Sequence, residues 1–368
     1  MKICVFGTRG FPMIQGGVEK HCESLYPRFP AEYRFVVFRR KPYVRDTPSY
    51  PNITFTDLPS TRIKGFEAVY HSFLATCRTI LCRPDIVHIH NIGPALFSPV
   101  LRLCGLKIVL TYHSPNYEHK KWGRAARTLL KWSEKIALRM SDAIIFVNKF
   151  QMEKYDARIK RKSHYIPNGI PDSLPATRQD YIQELGLTPG KYVLSVGRIT
   201  PEKGFDCLTR AFARLNTDYK LVIAGGVETE SAYLNDLKSV LPQKKIVFTG
   251  YVYGEKLNQL YTYAGLYVLP SYNEGFPLVL LEAMSYGLDV LVSDIPATHL
   301  VDLPADDYFG KGDDKELAEK MNSRLQHPQR RVYELTPYNW TSIVKRLAAV
   351  YNELSGPGAV SYTHLTLP

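Results

Sequence analysis

The sequence predicts an α/β protein with two doubly wound sheets, one after the other along the chain. Short apolar and β-branched runs alternate with segments of helical periodicity, stop at a stretch rich in Pro and Gly, and then resume. The 368 residues are too many for one compact α/β unit and enough for two. Because 45% of them are hydrophobic, the chain can bury two cores, which excludes a largely disordered protein.

Six strands are predicted in the first half of the chain. Several of these runs are apolar on both faces, which is typical of strands buried in a parallel sheet. Between the first two runs, Val18, Cys22, Leu25 and Phe29 form an apolar helical stripe. The six strands are predicted over residues 3–7, 35–38, 53–58, 86–90, 108–113 and 143–147.

Helix breakers separate the two halves. Pro and Gly residues between 167 and 190 predict an interdomain linker, after which the clearest helix is expected over residues 205–215. We assign residues 1–172 to a first domain and residues 173–337 to a second. The tail over residues 355–368 lacks Lys, Arg, Asp and Glu, and we expect it to be disordered or foreign to both domains. Five further strands are predicted over residues 192–197, 221–225, 246–250, 266–270 and 290–294.

Composition and charge limit the classes of function. No 18-residue stretch is free of charges or helix breakers, so neither a membrane span nor a signal peptide is predicted. Six cysteines without a Cys-x-x-Cys pair indicate no disulfide framework or zinc ribbon and fit a reducing cytoplasm. Residues 1–172 carry 28 Lys and Arg against 13 Asp and Glu, or +15, whereas the remainder carries 19 against 22, or −3. We therefore expect the two halves to meet different partners.

Residues 270–287 give the clearest indication of a ligand-binding site. Pro277 suits the first turn of a helix and Gly287 its end. Between them nearly every residue except Glu282 is apolar, which predicts a buried helix with one carboxylate that needs partners such as ligand hydroxyls. Glu274 precedes this helix at the carboxyl end of a strand, where open α/β sheets bind ligands. The alternative makes Glu282 the partner of an internal arginine and Glu274 a helix cap.

Residues 195–204 follow the first strand of the second domain and open a helix. Arg198 and Lys203 place two cations beside a helix N-terminus, which is an anion site that needs no metal. At about 4 Å and an effective dielectric near 20, each cation attracts a phosphate oxygen by roughly 4 kcal/mol before desolvation. In isolation such a pair is usually a solvated face, whereas in this strand-loop-helix context it could also compensate the charge of a leaving diphosphate.

A Gly-rich loop over residues 7–19 joins the first strand to the first helix. It is not Gly-x-Gly-x-x-Gly, and basic residues 39–41 stand where a dinucleotide site has an acid, so NAD binding is disfavoured. Gly16 and Gly17 would let backbone amides approach a ligand closely. The alternative is a purely structural turn.

His88, His90 and His113 end two neighbouring predicted strands. A His-x-His pair can begin a metallohydrolase site, but that site needs further ligands at strand ends. The sequence shows no such set, so we interpret His88 and His90 as structural and predict no metal site.

These segments resemble the retaining GT-B glycosyltransferases of family 4, also called group 1. The Glu-x7-Glu spacing around Gly-Phe-Pro is similar to the family's donor-sugar signature, and the opening loop is similar to that of a rhamnosyltransferase-like subgroup. The resemblance implies two Rossmann-like domains that face each other across a cleft, with a last helix, about residues 338–354, that returns to the first domain. Weaker matches at residues 167–169, 224–226 and 248–250 extend it over roughly residues 1–354, while residues 296–300 depart from the family pattern.

The resemblance also implies the roles of individual residues. Glu282 would hold the ribose hydroxyls of a nucleotide-sugar donor, while Arg198 and Lys203 would hold its diphosphate. His113 would contact the donor sugar or its phosphate, and Glu274 would hold the transferred hexose. The remaining donor-binding positions are Gly16, Gly17, Gly250, Gly275, Phe276 and Leu278.

The implied reaction is transfer of a hexose from a UDP-, GDP- or dTDP-sugar to a saccharide or a polyprenyl-diphosphate-linked saccharide. The family's outcome is retention of the anomeric configuration, and the expected setting is the synthesis of a cell-surface polysaccharide. No cofactor or metal is expected, because the chain lacks the Asp-x-Asp pair that clamps Mn²⁺ or Mg²⁺ in GT-A enzymes. Glu274 is expected at the wrong part of the sugar for a nucleophile, which favours same-face attack over a covalent intermediate.

Residues 120–139 form a basic, aromatic-bearing amphipathic segment with Glu134 as its one acid. Such a helix can rest on anionic lipid, and a lipid-linked acceptor would explain it, so we expect a cytoplasmic protein attached peripherally to the membrane. The alternative is an ordinary helix with a solvated outer face.

Two other classes of function remain open. A nucleotide-sugar 2-epimerase shares the two-domain form but lacks this combination of cations and paired glutamates; a glycogen phosphorylase is far longer. A basic nucleic-acid-binding protein would use the +15 half, but it leaves Glu274 and Glu282 without a role, and no nucleic-acid motif is recognised.

Overall fold

The chain divides into two compact units in the computed structural model. Met1–Gly169 and Thr336–Pro368 form the first unit, and Ile170–Leu335 form the second. The structure describes residues 1–14, 16–45, 48–61, 63, 66–115, 117, 123–170, 174–227 and 232–356. Most of the predicted tail lies outside these residues.

The first unit contains a seven-stranded sheet in which every pair of strands is parallel. The strands are β1 (Lys2–Phe6), β2 (Arg34–Arg40), β3 (Ile53–Leu58), β4 (Ile86–His90), β5 (Lys107–Tyr112), β6 (Ala143–Phe146) and β7 (Ser163–Tyr165). Their spatial order is β3-β2-β1-β4-β5-β6-β7. The order reverses between β1 and β4, which makes the carboxyl ends of these two strands the switch point where such sheets bind ligands.

Helices cover both faces of this sheet. They are α1 (Gly17–Leu25), α2 (Phe66–Cys82), α3 (Ser98–Leu103), α4 (Arg124–Met140), α5 (Lys149–Glu153) and α6 (Ala157–Lys160). Packing of the helices on the sheet gives two clusters of buried apolar residues. One cluster includes residues of α1, and the other includes residues of α4. The sequence predicted six of the seven strands; β7 was missed because it is three half-buried residues without an apolar run.

The second unit contains a six-stranded parallel sheet of order β10-β9-β8-β11-β12-β13. Its switch point lies between β8 and β11. The strands are β8 (Tyr192–Val196), β9 (Lys220–Ala224), β10 (Ile246–Gly250), β11 (Leu266–Leu269), β12 (Val290–Ser293) and β13 (Tyr308–Phe309). The helices are α7 (Asp180–Glu184), α8 (Phe205–Ala213), α9 (Ala232–Val240), α10 (Glu255–Tyr263), α11 (Leu278–Ser285) and α12 (Asp314–Gln326).

The predicted linker is partly wrong, because α7 lies inside it. Tyr181 and Ile182 on α7 are buried, and the Tyr181 N–H donates to the Gln259 side chain on α10 at 2.9 Å. This part of the segment therefore belongs to the packed second unit rather than to a linker.

The last helix, α13 (Trp340–Ser355), packs on the first unit. Trp340, Leu347 and Tyr351 are buried in the same apolar cluster as the α1 residues. A Cβ at Gly169 would lie 2.4 Å from the Trp340 indole, so only glycine fits where this helix meets the Pro-Asn-Gly segment. In the described part of the chain, no helix has both the length and the apolar content needed to cross a bilayer.

Candidate active site

Glu274 and Lys203 form an ion pair in the second unit. Lys203 Nζ lies 2.6 Å from Glu274 Oε1, and the two side chains are 18% and 9% exposed. The Ser271 hydroxyl donates to the same carboxylate oxygen at 2.8 Å. The structure thus joins two side chains that the sequence assigned to different parts of the donor, Lys203 to the diphosphate and Glu274 to the hexose.

This pair lies at the switch point of the second sheet. Lys203 follows β8 and Glu274 follows β11, and these strands are parallel neighbours. Gly204 adopts φ +66°, and a Cβ there would lie 2.0 Å from the Pro270 carbonyl oxygen. The Tyr272 N–H also donates to the Glu202 carbonyl at 2.9 Å. The loop after β8 therefore packs directly on the loop after β11, which positions the ion pair.

Arg198 lies on the loop after β8 and is exposed. A Cβ at the neighbouring Gly197 would lie 3.7 Å from the Lys203 side chain, so the lysine stem runs alongside this loop. Gly225, at the end of β9, has φ +150° and would place a Cβ 1.9 Å from the Gly197 carbonyl oxygen. Close backbone packing thus supports the loop that carries both cations.

Glu282 lies on α11, which starts at Leu278, so Pro277 caps the predicted helix rather than lying in its first turn. The Tyr261 hydroxyl on α10 donates to Glu282 Oε2 at 2.8 Å. Burial, followed by the charge of Glu282, raises the pKa of Tyr261 well above its usual value, so the tyrosine keeps its proton and donates. The prediction that this carboxylate is buried needs correction, because Glu282 is half-buried and its helix is buried on the side of Leu280 and Leu281.

The predicted donor-binding positions at the start of α11 and at the end of β10 differ in what their backbone can offer. The Leu278 N–H already donates to the Phe276 carbonyl at 3.0 Å, so a ligand would have to replace that bond. Phe276 is buried, whereas Gly275 and Leu278 are half-buried. Gly250, at the end of β10, has φ +68°, and a Cβ there would meet no atom within 4 Å, which leaves room for a ligand.

The two glycines of the first unit's opening loop have different roles. Gly16 adopts φ +147°, and a Cβ there would lie 1.9 Å from Glu19 Oε2. Glu19 Oε1 accepts the Arg9 N–H at 3.0 Å, so this carboxylate closes the loop. A Cβ at Gly17 would meet no atom within 4 Å. Gly16 is thus required by the fold, while Gly17 faces open space.

His113 belongs to a histidine cluster at the switch point of the first sheet. Its Nε2 lies 3.0 Å from His90 Nδ1, and its ring centroid lies 5.1 Å from that of His21 on α1. His21 was not predicted from the sequence, although its place three residues after Val18 puts it on the apolar side of α1. His88 is fully buried and contacts Thr111 and Tyr351, as a structural residue does.

The sequence shows no further ligands at strand ends, but the structure brings His21, which lies on a helix, into this set. Within the described residues, His21, His90 and His113 bring their ring nitrogens within 4.8 Å of one another. Burial lowers the pKa of all three, that of His21 to about 4, so they are neutral at pH 7. Neutral imidazoles can ligate a transition metal, but the 3.0 Å contact is a hydrogen-bond distance that a metal would have to replace.

Comparison with known proteins follows the same division into two parts. The profile described as Glycosyltransferase Family 4 matches residues 15–174, and the profile described as Glycosyl transferases group 1 matches residues 177–333. Mannosylfructose-phosphate synthase of Agrobacterium fabrum is 35% identical over 179 residues, which are 44% of this chain and 39% of that enzyme. The chain thus matches less than two thirds of that relative's length.

Solved structures are similar over nearly the whole chain. Sucrose-phosphate synthase from Thermosynechococcus elongatus has a TM-score of 0.78 at 22% identity, over 96% of this chain and 98% of that one. HepE of Anabaena, solved in complex with UDP-glucose, has a TM-score of 0.74 at 16% identity, over 95% and 98%. These similarities show a GT-B fold. Since the two family profiles run consecutively through the two units, the chain belongs to the group 1 glycosyltransferases of family 4.

Proposed function

We propose that the protein transfers a hexose from a nucleotide-diphosphate sugar to a saccharide acceptor, with retention at the anomeric carbon. The observation that carries this proposal is the Lys203–Glu274 ion pair at the switch point of the second sheet. A cation beside an anionic diphosphate and a carboxylate beside sugar hydroxyls are what a nucleotide sugar needs at adjacent positions. The family assignment supports the same chemistry.

The donor in this proposal is a UDP-, GDP- or dTDP-sugar. Glu282 is half-buried and accepts a hydrogen bond from Tyr261, and in this proposal its carboxylate binds the pair of ribose hydroxyls. Gly250 leaves open space at the end of β10 for the base. The complex of HepE with UDP-glucose supports a uridine donor among the three.

Lys203 and Arg198 stabilise the leaving diphosphate in the proposed mechanism, and no metal is required for that task. The acceptor hydroxyl attacks the anomeric carbon on the face from which the diphosphate departs. The bond between the anomeric carbon and the phosphate oxygen breaks, and that oxygen takes the acceptor's proton. Charge develops on the leaving oxygen in the transition state, so a positioned cation lowers the barrier.

The acceptor is proposed to be lipid-linked, as in the synthesis of cell-surface polysaccharides, with the protein peripheral on the cytoplasmic face of the membrane. On α4 the outer face carries exposed Arg127, Lys131, Trp132 and Lys135. The acid of this helix, Glu134, is buried and accepts hydrogen bonds from tyrosines, so the exposed face of α4 carries no acid. The predicted Lys120, Lys121 and Trp122 lie outside the described residues.

Removing both proposed phosphate ligands tests the assignment. The double variant Arg198→Ala/Lys203→Ala should release nucleoside diphosphate at least about 100-fold more slowly than the wild type, since each removed electrostatic contact costs this order of rate. The rate is measured by coupled detection of the released diphosphate, together with the melting temperature of each protein.

The matched control removes two other cations of the same unit, in Arg178→Ala/Lys191→Ala. Their side chains are 68% and 48% exposed, so we expect an unchanged rate. If the folded Arg198→Ala/Lys203→Ala variant turns over like the control, the diphosphate assignment is wrong.

A further inference from the structure

A continuous chain of hydrogen bonds crosses the core of the first unit from α13 to His113. The Tyr351 hydroxyl on α13 lies 2.5 Å from His88 Nδ1. The Tyr26 hydroxyl lies 3.0 Å from the same nitrogen and 2.6 Å from His90 Nε2. His90 Nδ1 in turn lies 3.0 Å from His113 Nε2. The first four side chains are fully buried, whereas His113 is 9% exposed.

The protons of this chain are coupled, because a neutral imidazole carries one N–H. Burial lowers the pKa of His88 to about 3 and those of His90 and His113 well below the usual value, so all three are neutral at pH 7. A hydrogen bond between His90 and His113 needs a proton on one of the facing nitrogens and none on the other. A proton on Nδ1 of His90 therefore leaves Nε2 of His113 as an acceptor, which puts the His113 proton on Nδ1.

The two tyrosines decide which arrangement is present. Burial raises the pKa of Tyr26 and Tyr351 well above the usual value, so each keeps its single proton. The shortest contact of Tyr351 is with His88 Nδ1, and that of Tyr26 is with His90 Nε2. If each hydroxyl donates along its shortest contact, His88 is satisfied by Tyr351. Tyr26 is then free to donate to His90, whose own proton lies on Nδ1.

We infer that Tyr351, His88, Tyr26 and His90 are positioning residues that hold His113 with its proton on Nδ1, the nitrogen left to meet a ligand. His113 then offers a ligand a neutral N–H rather than a lone pair, which suits an acceptor oxygen of a sugar or a phosphate. This inference rests on the proposed function for the identity of the ligand, but the tautomer itself does not.

The test is the ¹⁵N NMR spectrum of the imidazole nitrogens in histidine-labelled protein. The signals of His113 are assigned as those that disappear in His113→Gln. We expect wild-type His113 to carry its proton on Nδ1. In Tyr26→Phe the remaining group at His90 Nε2 is the Cys22 thiol at 3.6 Å, a much weaker donor, so His113 should become a mixture of tautomers, and kcat/KM should fall by about tenfold. Tyr351→Phe should shift His113 in the same direction, because His88 then competes for the Tyr26 proton.

The matched control is Tyr33→Phe, which removes another fully buried hydroxyl that contacts α13, through Asn352 at 3.2 Å. It should leave the His113 tautomer and kcat/KM unchanged. If Tyr26→Phe does not fold, Tyr351→Phe carries the test. A wild-type proton on Nε2, an unchanged His113 spectrum in Tyr351→Phe, or a spectrum that changes when EDTA removes a bound metal would overturn the inference. A wild type without transferase activity would overturn the proposed function alone.

Discussion

Lys203 and Glu274 are bonded to each other in the free protein, before any donor binds. Both side chains are largely withdrawn from water, and Ser271 donates to the same carboxylate oxygen that Lys203 contacts. Under the proposed function, a donor diphosphate would therefore share Lys203 with Glu274. We therefore expect donor binding to depend on the stability of the loop between β8 and α8.

Neutralising Glu274 should destabilise the fold as well as the site. In Glu274→Gln the lysine keeps its charge but loses its partner, so we expect the free energy of unfolding to fall by up to about 3 kcal/mol. Urea denaturation measures this loss. Lys203→Met and the double variant Glu274→Gln/Lys203→Met complete a double-mutant cycle. The cycle should give a coupling energy of about 1–3 kcal/mol.

Ser271→Ala is the control for this experiment, because it removes only the neutral donor to the same carboxylate. Its cost should be about 1 kcal/mol. Additive losses in the Glu274 and Lys203 variants would mean that the ion pair does not stabilise the protein.

Elements with strong local signals could be predicted, and elements held by distant contacts could not. The bounds of α11 follow from Pro277 and from Gly287, which adopts φ +67° where the helix ends. By contrast, β7 and β13 are three and two residues long, and only pairing with a neighbouring strand defines them. The helix α7 was missed because the prolines and glycines around it indicated a linker.

In the candidate site too, some residues could be singled out from the sequence, whereas the contacts between them could not. Glu274, Glu282 and Lys203 could be singled out because each follows a strand or lies in an otherwise apolar helix. The contact between Lys203 and Glu274 could not, since it joins residues 71 positions apart through loop packing. The role of Tyr261 could not be predicted from the sequence either, because a tyrosine on an amphipathic helix usually packs in the apolar core.

For the molecule as a whole, the basic excess lies in the first unit's sequence and includes the outer face of α4. The neighbouring α3 packs on α4 and exposes Val100 and Leu103, so cations and apolar side chains occur on adjacent helices. This combination is typical of surfaces that rest on anionic lipid. The charge on residues 1–172 thus supports the lipid-linked acceptor in the proposed function.

Vesicle co-sedimentation measures that attachment. At low salt the wild type should bind vesicles that contain anionic lipid, and Arg127→Glu/Lys135→Glu should weaken binding at least about tenfold, since each surface cation contributes about 1 kcal/mol. Trp132→Ala should weaken it further. Lys154→Glu/Lys160→Glu makes the same charge change elsewhere in the first unit and is the control. Equal binding by both charge variants would contradict the assignment of α4.

The central claim is that the second unit binds a nucleotide sugar through Glu282, and thermal shift with a panel of UDP-, GDP- and dTDP-sugars tests it most directly. At a ligand concentration 100 times its Kd, a donor should stabilise the wild type by about 2.7 kcal/mol, which is a shift of several degrees. We predict that one base class gives this shift, that Glu282→Ala loses it, and that Glu319→Ala, an exposed glutamate on α12, retains it. The claim is contradicted if no nucleotide sugar shifts the wild type, or if Glu282→Ala responds as the wild type does.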